Sequence, residues 1–160
     1  MKLSRRDLIK LGLGTGTLMA LGGRFAWAGD AGPELIHHTI PSSGEKLPAI
    51  GIGMRNYRTE WAENGLAQYR ETIRVFHELG GRVLDTAPSY GDSESVLGGI
   101  LEELGIREDL FIATKVDREG KEAGIERMEA SLDRIGTDYV DLMQVHNLRD
   151  AAAQLDTMRA

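Results

Sequence analysis

The 160-residue sequence contains no cysteine. That excludes disulfides, thiolate metal sites and a cysteine nucleophile, and leaves packing alone to hold the fold. Cations are in deficit as well: 19 Lys and Arg stand against 25 Asp and Glu, a formal net charge of −6. An acidic body repels phosphate backbones and anionic headgroups, which sets aside nucleic acid and acidic lipid surfaces as partners. There is no apolar run of the roughly 20 residues that a membrane span needs. The nearest candidate, Leu11 to Leu21, is loosened by Gly12, Gly14 and Gly16. A complete dinucleotide-binding fingerprint is missing too. Gly51-Ile52-Gly53 is only the first part of G-x-G-x-x-G, with Asn56 and Tyr57 where a glycine is wanted, and the glycines at 12, 14 and 16 follow no strand.

What is present begins with an N-terminal segment expected to be removed from the mature protein. Arg5-Arg6 precedes the short apolar run, and Ala26-Trp27-Ala28 supplies a small-x-small cleavage pattern. A charged start, a short apolar middle and such an end predict an export signal over residues 1–28. Ser4-Arg5-Arg6-Asp7-Leu8-Ile9-Lys10 resembles the twin-arginine export motif. The resemblance implies a periplasmic protein, the twin-arginine export machinery as partner, no stable membrane anchor, and export of a chain already folded, often around a cofactor. Cleavage after Ala28 removes five basic residues and one acidic residue, so the formal charge moves from −6 to −10 for residues 29–160.

The remaining chain, residues 29–160, reads as one domain. Leu35-Ile36-His37-His38-Thr39-Ile40 followed by Pro41-Ser42-Ser43-Gly44 predicts a small hairpin. His37 and His38 are adjacent, so on a strand they face opposite sides and cannot clamp one metal; they read as surface residues. A strand-then-helix pattern then recurs four times. The strands are Ala49 to Met54, Arg82 to Asp85, Leu110 to Lys115 and Tyr139 to His146. The helices carry stripes at Leu66, Tyr69, Ile73 and Phe76, then Val96, Leu97, Ile100, Leu101 and Leu104, then Ile125, Met128, Leu132 and Ile135, with a last piece from Asp150. Asp92-Ser93 is the expected cap of the second helix, with Glu94 in its first turn, and Gly105 and Gly136 are the expected stops of the second and third.

Strand ends at Met54, Asp85, Lys115 and His146 are 31, 30 and 31 residues apart. Such alternation predicts a parallel sheet with right-handed helical crossovers, either doubly wound or part of a (β/α)8 TIM barrel. Three successive strands ending in an ionisable group favour the barrel, whose C-terminal rim gathers catalytic side chains from different strands.

Gly81-Arg82-Val83-Leu84-Asp85-Thr86-Ala87-Pro88-Ser89-Tyr90-Gly91-Asp92-Ser93-Glu94, with Leu97-Gly98, resembles the D-T-A-x-x-Y-G-x-S-E-x-x-L-G signature of the aldo-keto reductases. Ala113-Thr114-Lys115-Val116 is similar to that family's third strand, and Ser131-Leu132-x-Arg134 through Asp138-Tyr139-Val140-Asp141-Leu142 and His146 to its fourth. The resemblance implies a (β/α)8 barrel that reduces aldehydes and ketones with NADP(H), NAD(H) being the alternative. It implies a small-molecule carbonyl substrate and a catalytic tetrad of Asp85, Tyr90, Lys115 and His146, with Asp85 also at the cofactor. One contact does not carry over: a threonine commonly follows the family's first Gly-x-Gly, and Met54-Arg55 stand here instead.

Carbonyl reduction needs a hydride at carbon and a proton at oxygen as negative charge grows there. In that scheme Tyr90 donates the proton. A phenol is a weak acid at neutrality, and an ammonium at about 4 Å stabilises the phenolate by about 4 kcal/mol in a medium of effective dielectric about 20. Lys115 is that ammonium, Asp85 holds it charged and in place, and His146 orients the carbonyl oxygen. Taken singly, each has a plainer reading: Asp85 as a turn former, Tyr90 as a packing ring, Lys115 as a solvated cation, His146 as a satisfied strand-end histidine. His77 and Glu102-Glu103 read as helix-surface residues, and Arg134 with Asp138 or Asp141 as a structural ion pair.

Four units are half of such a barrel, and the sequence stops at Met158-Arg159-Ala160 within the fourth helix. The expectation is an N-terminal part of a longer reductase, the main cofactor-binding residues belonging to later strands. Its open edges are expected to favour self-association. A non-catalytic binding or regulatory module of the same fold, and an inactive truncation product, are the alternatives.

Overall fold

The computed structural model describes residues 34–63 and 65–159. The export-signal reading of residues 1–28 lies outside them. The first element is the expected hairpin, β1 (His37–Thr39) antiparallel to β2 (Lys46–Pro48). His37 and His38 are both exposed on it.

Four parallel strands follow, β3 (Gly51–Gly53), β4 (Val83–Asp85), β5 (Phe111–Val116) and β6 (Leu142–Val145), hydrogen-bonded in chain order. They alternate with helices α1 (Ala67–Glu78), α2 (Ser93–Leu104), α3 (Lys121–Ile135) and α4 (Ala151–Arg159). Each strand therefore lies beside the next without a reversal of order, the arrangement of a barrel wall.

Register divides the sheet into two unlike faces. Ile52, Leu84 and Ile112 are in line and point to the helices, where they join Val96, Leu97, Ile100, Leu101 and Ile135 in the core. Fully burying a side chain such as Leu84, Leu97 or Ile112 stabilises the fold by about 1.5–3 kcal/mol. Alternation puts Gly51, Val83 and Phe111 in one row of the opposite face, Gly53, Asp85, Ala113 and Leu142 in the next, and Lys115 with Gln144 above them. That face turns polar toward the C-terminal ends of its strands.

Four sequence expectations change. Asp92 occupies the N-cap of α2 but does not cap it; its carboxylate accepts the Thr59 backbone N–H at 3.2 and 3.3 Å. The α3 stripe is rotated: Gly124, Ser131 and Ile135 are the buried positions, and Ile125 is exposed. Small residues mark its close approaches: a Cβ on Gly98 of α2 would fall 2.6 and 2.7 Å from the carbonyl oxygens of Arg134 and Ile135, and one on Gly124 would meet the Gln154 side chain. The fourth strand begins at Leu142, not Tyr139, because the Asp141 carboxylate takes the ladder's place and accepts the Ile112 N–H at 2.8 Å. Arg134 pairs with Glu94, and Asp141 with Arg107, so neither expected pairing of Arg134 is made. The two predicted helix stops hold, Gly105 at φ 64° and Gly136 at φ 72°, the left-handed conformation that glycine enters freely.

Candidate active site

Parallel strands end on one side, so residues at their C-terminal ends meet without any need for sequence proximity. Asp85 is the last residue of β4, Lys115 the penultimate of β5, and His146 follows β6 directly. Tyr90 lies on the connection between β4 and α2, where its backbone N–H closes a turn on the Ala87 carbonyl at 3.0 Å.

The ammonium of Lys115 is the centre of the cluster. It donates to Asp85 Oδ1 and Oδ2, both at 2.8 Å, and to the Thr86 carbonyl at 2.7 Å. An ammonium has three protons, and these three acceptors take them all. Its side chain is 12% exposed, whereas that of Asp85 is 38% exposed, so the acid faces the open side of the pair. Lys115 Nζ also sits 5.2 Å from the centroid of the Tyr90 ring, within range of a cation–π attraction. The imidazole of His146 meets the same ring edge-on, centroids 5.7 Å apart at 89°. Asp85, Tyr90, Lys115 and His146 are thus brought together in one cluster.

Sequence reasoning overlooked three participants. Gln144 Nε2 donates to Asp85 Oδ1 at 3.0 Å, so the acid is oriented from a second side. The signal was available: an amide two residues before His146 is out of place in an apolar strand. Ser89 Oγ lies 3.2 Å from His146 Nδ1 and so addresses one ring nitrogen, leaving Nε2 for another partner. The Thr86 carbonyl carried no signal, since a backbone oxygen has no sequence identity. Met54 is fully buried, with its N–H on the Asp85 carbonyl and its carbonyl accepting from the Ser93 hydroxyl. It is a core residue.

The sequence profile of the aldo/keto reductase family matches residues 49–160, most of the chain and all four βα units. The chain belongs to the aldo/keto reductase family. An aldo-keto reductase of Mycobacterium avium is 36% identical over 104 residues, 63% of this chain and 34% of that protein. Aldo-keto reductase YhdN of Bacillus subtilis is 34% identical over 121 residues, 68% of this chain and 37% of that protein. Among solved structures, an aldo-keto reductase of Klebsiella pneumoniae in complex with NADPH superposes with a TM-score of 0.66 at 29% identity, over 78% of this chain and 45% of that one. A thermostable aldo-keto reductase bound to the inhibitor epalrestat gives a TM-score of 0.68 at 26% identity, over 78% and 48%. The parallel sheet described above is accordingly a partial TIM barrel, and this aldo/keto reductase chain spans 34–37% of the length of those two curated relatives.

Proposed function

We propose that the cluster is the proton-transfer side of an NAD(P)H-dependent reductase of aldehydes or ketones. The observation that carries this reading is the grip on Lys115: an ammonium held by both oxygens of Asp85 and by the Thr86 carbonyl, against the face of Tyr90, with His146 at the ring's edge. Surface lysines are not held at three points, and an ion pair serving stability alone has no need of a tyrosine and a histidine around it.

The residues present fit the reacting end of a nicotinamide. A Cβ built on Gly53 would meet nothing within 4 Å, and its register neighbour Asp85 is the more open partner of the Lys115 pair. A flat ring has room there, with the Asp85 carboxylate and the Gln144 amide as the groups that would hold its carboxamide and ribose side. A bound nicotinamide would supply the hydride for the carbonyl carbon. Tyr90 gives its hydroxyl proton to the carbonyl oxygen. Lys115 stabilises the phenolate left behind, and Asp85 holds the Lys115 ammonium in place with both carboxylate oxygens. His146 donates a hydrogen bond to the same oxygen and fixes its direction, having its other nitrogen engaged by Ser89.

NADPH is the first cofactor to try, because a relative was solved with it, and NADH the second. The decisive assay follows NADPH oxidation with a generic aldehyde, in the chain and in its Tyr90→Phe variant. Activity that survives the loss of the hydroxyl sinks the proposal.

Two further calls belong to this reading. The Arg5-Arg6 motif and the Ala26-Trp27-Ala28 site support export to the periplasm by the twin-arginine route, to be checked by fractionating cells that express an Arg5→Lys/Arg6→Lys double variant. Among the described residues β3 and β6 each pair on one side only, which supports association through those edges, and sedimentation velocity reads it directly.

A further inference from the structure

The helical layer reaches the cluster through Ser93, whose hydroxyl lies 3.1 Å from that of Thr86, and through Arg127. Arg127, on α3, donates from Nε to Asp117 Oδ1 at 2.9 Å and from Nη2 to Asp117 Oδ2 at 3.3 Å. The same Nη2 donates to the Pro88 carbonyl at 3.1 Å. Asp117 comes two residues after Lys115, and Pro88 two residues before Tyr90. One planar guanidinium therefore joins the exit of β5 to the connection that carries Tyr90.

The rest of that connection is tied from the sheet side. Thr86 is held by Lys115 and Ser89 by His146. Pro88, between them, has no backbone N–H to offer, so its carbonyl is the one backbone group by which it can be fixed. Arg127 and Asp117 are mostly buried, at 21% and 14% side-chain exposure, which shields the bridge from water. Burial acts to raise the Asp117 carboxyl, but the hydrogen bond and charge of Arg127, then the charges of Arg118 and His146, hold it below its ordinary value. The bridge is thus charged at neutral pH and lies within the field of His146.

We propose that Arg127 is a positioning residue for carbonyl reduction, acting through the Pro88 carbonyl and Asp117 to set the placement of Tyr90 against Lys115. The inference rests on the proposed function for its chemical meaning, though not for its geometry. A misplacement of about 1 Å at a reacting group can cost about a hundredfold in rate, so a tether at this point has kinetic weight. Arginine suits it because its fork serves the carboxylate and the carbonyl together, whereas an ammonium is a single point.

The test uses the full chain labelled with 13C at the tyrosine rings. The chain has 4 Tyr, and Tyr90→Phe assigns the Tyr90 signal. Arg127→Met removes the bridge, and Arg127→Lys keeps the charge for Asp117 while giving up the second arm. The expected result is a shifted and broadened Tyr90 resonance in both variants, the other tyrosine signals staying in place, with Arg127→Lys retaining the wild-type far-UV dichroism and a cooperative melt. In turnover, kcat is expected to fall about tenfold to a hundredfold in Arg127→Lys with KM changed less than about threefold. A Tyr90 resonance in Arg127→Lys that superimposes on the wild type overturns the inference. Full reduction by Tyr90→Phe overturns the proposed function instead, so the two failures are told apart.

Discussion

Two carboxylate–cation pairs arise from the same motif, and they do opposite things. Asp85 with Lys115 lies at the strand ends, with the acid 38% exposed; Glu94 with Arg134 lies between α2 and α3, with the acid 1% exposed. Glu94 accepts from Thr114 Oγ1 at 2.6 Å and from Arg134 Nε at 2.8 Å, and its surroundings are closed by the helices. Nothing can reach it, so it acts as a joint between β5, α2 and α3. Asp85 is equally satisfied, by Lys115 and Gln144, but faces the open side of the sheet. The chemistry of the groups is the same, and access from the open side separates the pair proposed to react from the structural one.

Substitutions that exchange loss of activity for loss of stability break this comparison. The largest effect is expected at the open pair: Tyr90→Phe should lower kcat by about 10²- to 10⁴-fold, the range for a general acid, while the melting midpoint stays within about 2 °C. A matched fall in both would place Tyr90 in the structural class. Arg134→Met should do the reverse. It leaves Glu94 as a buried carboxylate without its cation, at a cost of about 3 kcal/mol in urea unfolding. A residual folded fraction should keep its specific activity. Gly98→Ala sharpens the contrast at the helix joint, where a Cβ meets the backbone oxygens of Arg134 and Ile135; about 2 kcal/mol is expected, and an unchanged urea midpoint would show that α2 can move aside.

The smallest effect concerns pH. Arg127, with Arg118 and His146, holds the folded Asp117 carboxyl below its ordinary value against the opposing effect of burial. The stability this adds is complete above the unfolded value, near pH 4, and is lost as pH falls through the lower folded value. Asp117→Asn is therefore expected to flatten the acid limb of the stability curve below about pH 4 and to leave the slope between pH 6 and 8 unchanged. A flattened slope at neutral pH would point to a different group.

Much of the architecture was legible because it depends on local pattern. Apolar runs such as Phe111-Ile112-Ala113 and stripes such as Val96, Leu97, Ile100 and Leu101 fall at strand and helix spacing, and glycines at 105 and 136 stop their helices. The meeting of Asp85 and Lys115 was legible for a related reason: parallel strands place their ends side by side, so residues 30 apart can be paired on paper, whereas Tyr90 came from the resemblance to the family signature. Errors arose where helix packing decides. Ile125, Met128 and Leu132 are as apolar as any buried stripe, yet α3 buries Gly124 and Ser131 instead, Gly124 lying where a Cβ would run into the Gln154 side chain of α4. Arg134 has acids on its own side of the chain at 138 and 141, but its partner is 40 residues earlier.

From the sequence alone came the four βα units and the direction of their strands, since periodicity and the handedness of crossovers are properties of short stretches, while the resemblance to the family's motifs pointed to the acid, phenol, ammonium and imidazole. Tertiary structure alone decided that Glu94 is shut away with Arg134, that Gln144 steadies Asp85 from 59 residues distant, and that Arg127 ties Pro88 to Asp117. Those pairings depend on how closely two helices and a sheet approach, a quantity set by the side chains at the contact and carried by no single segment.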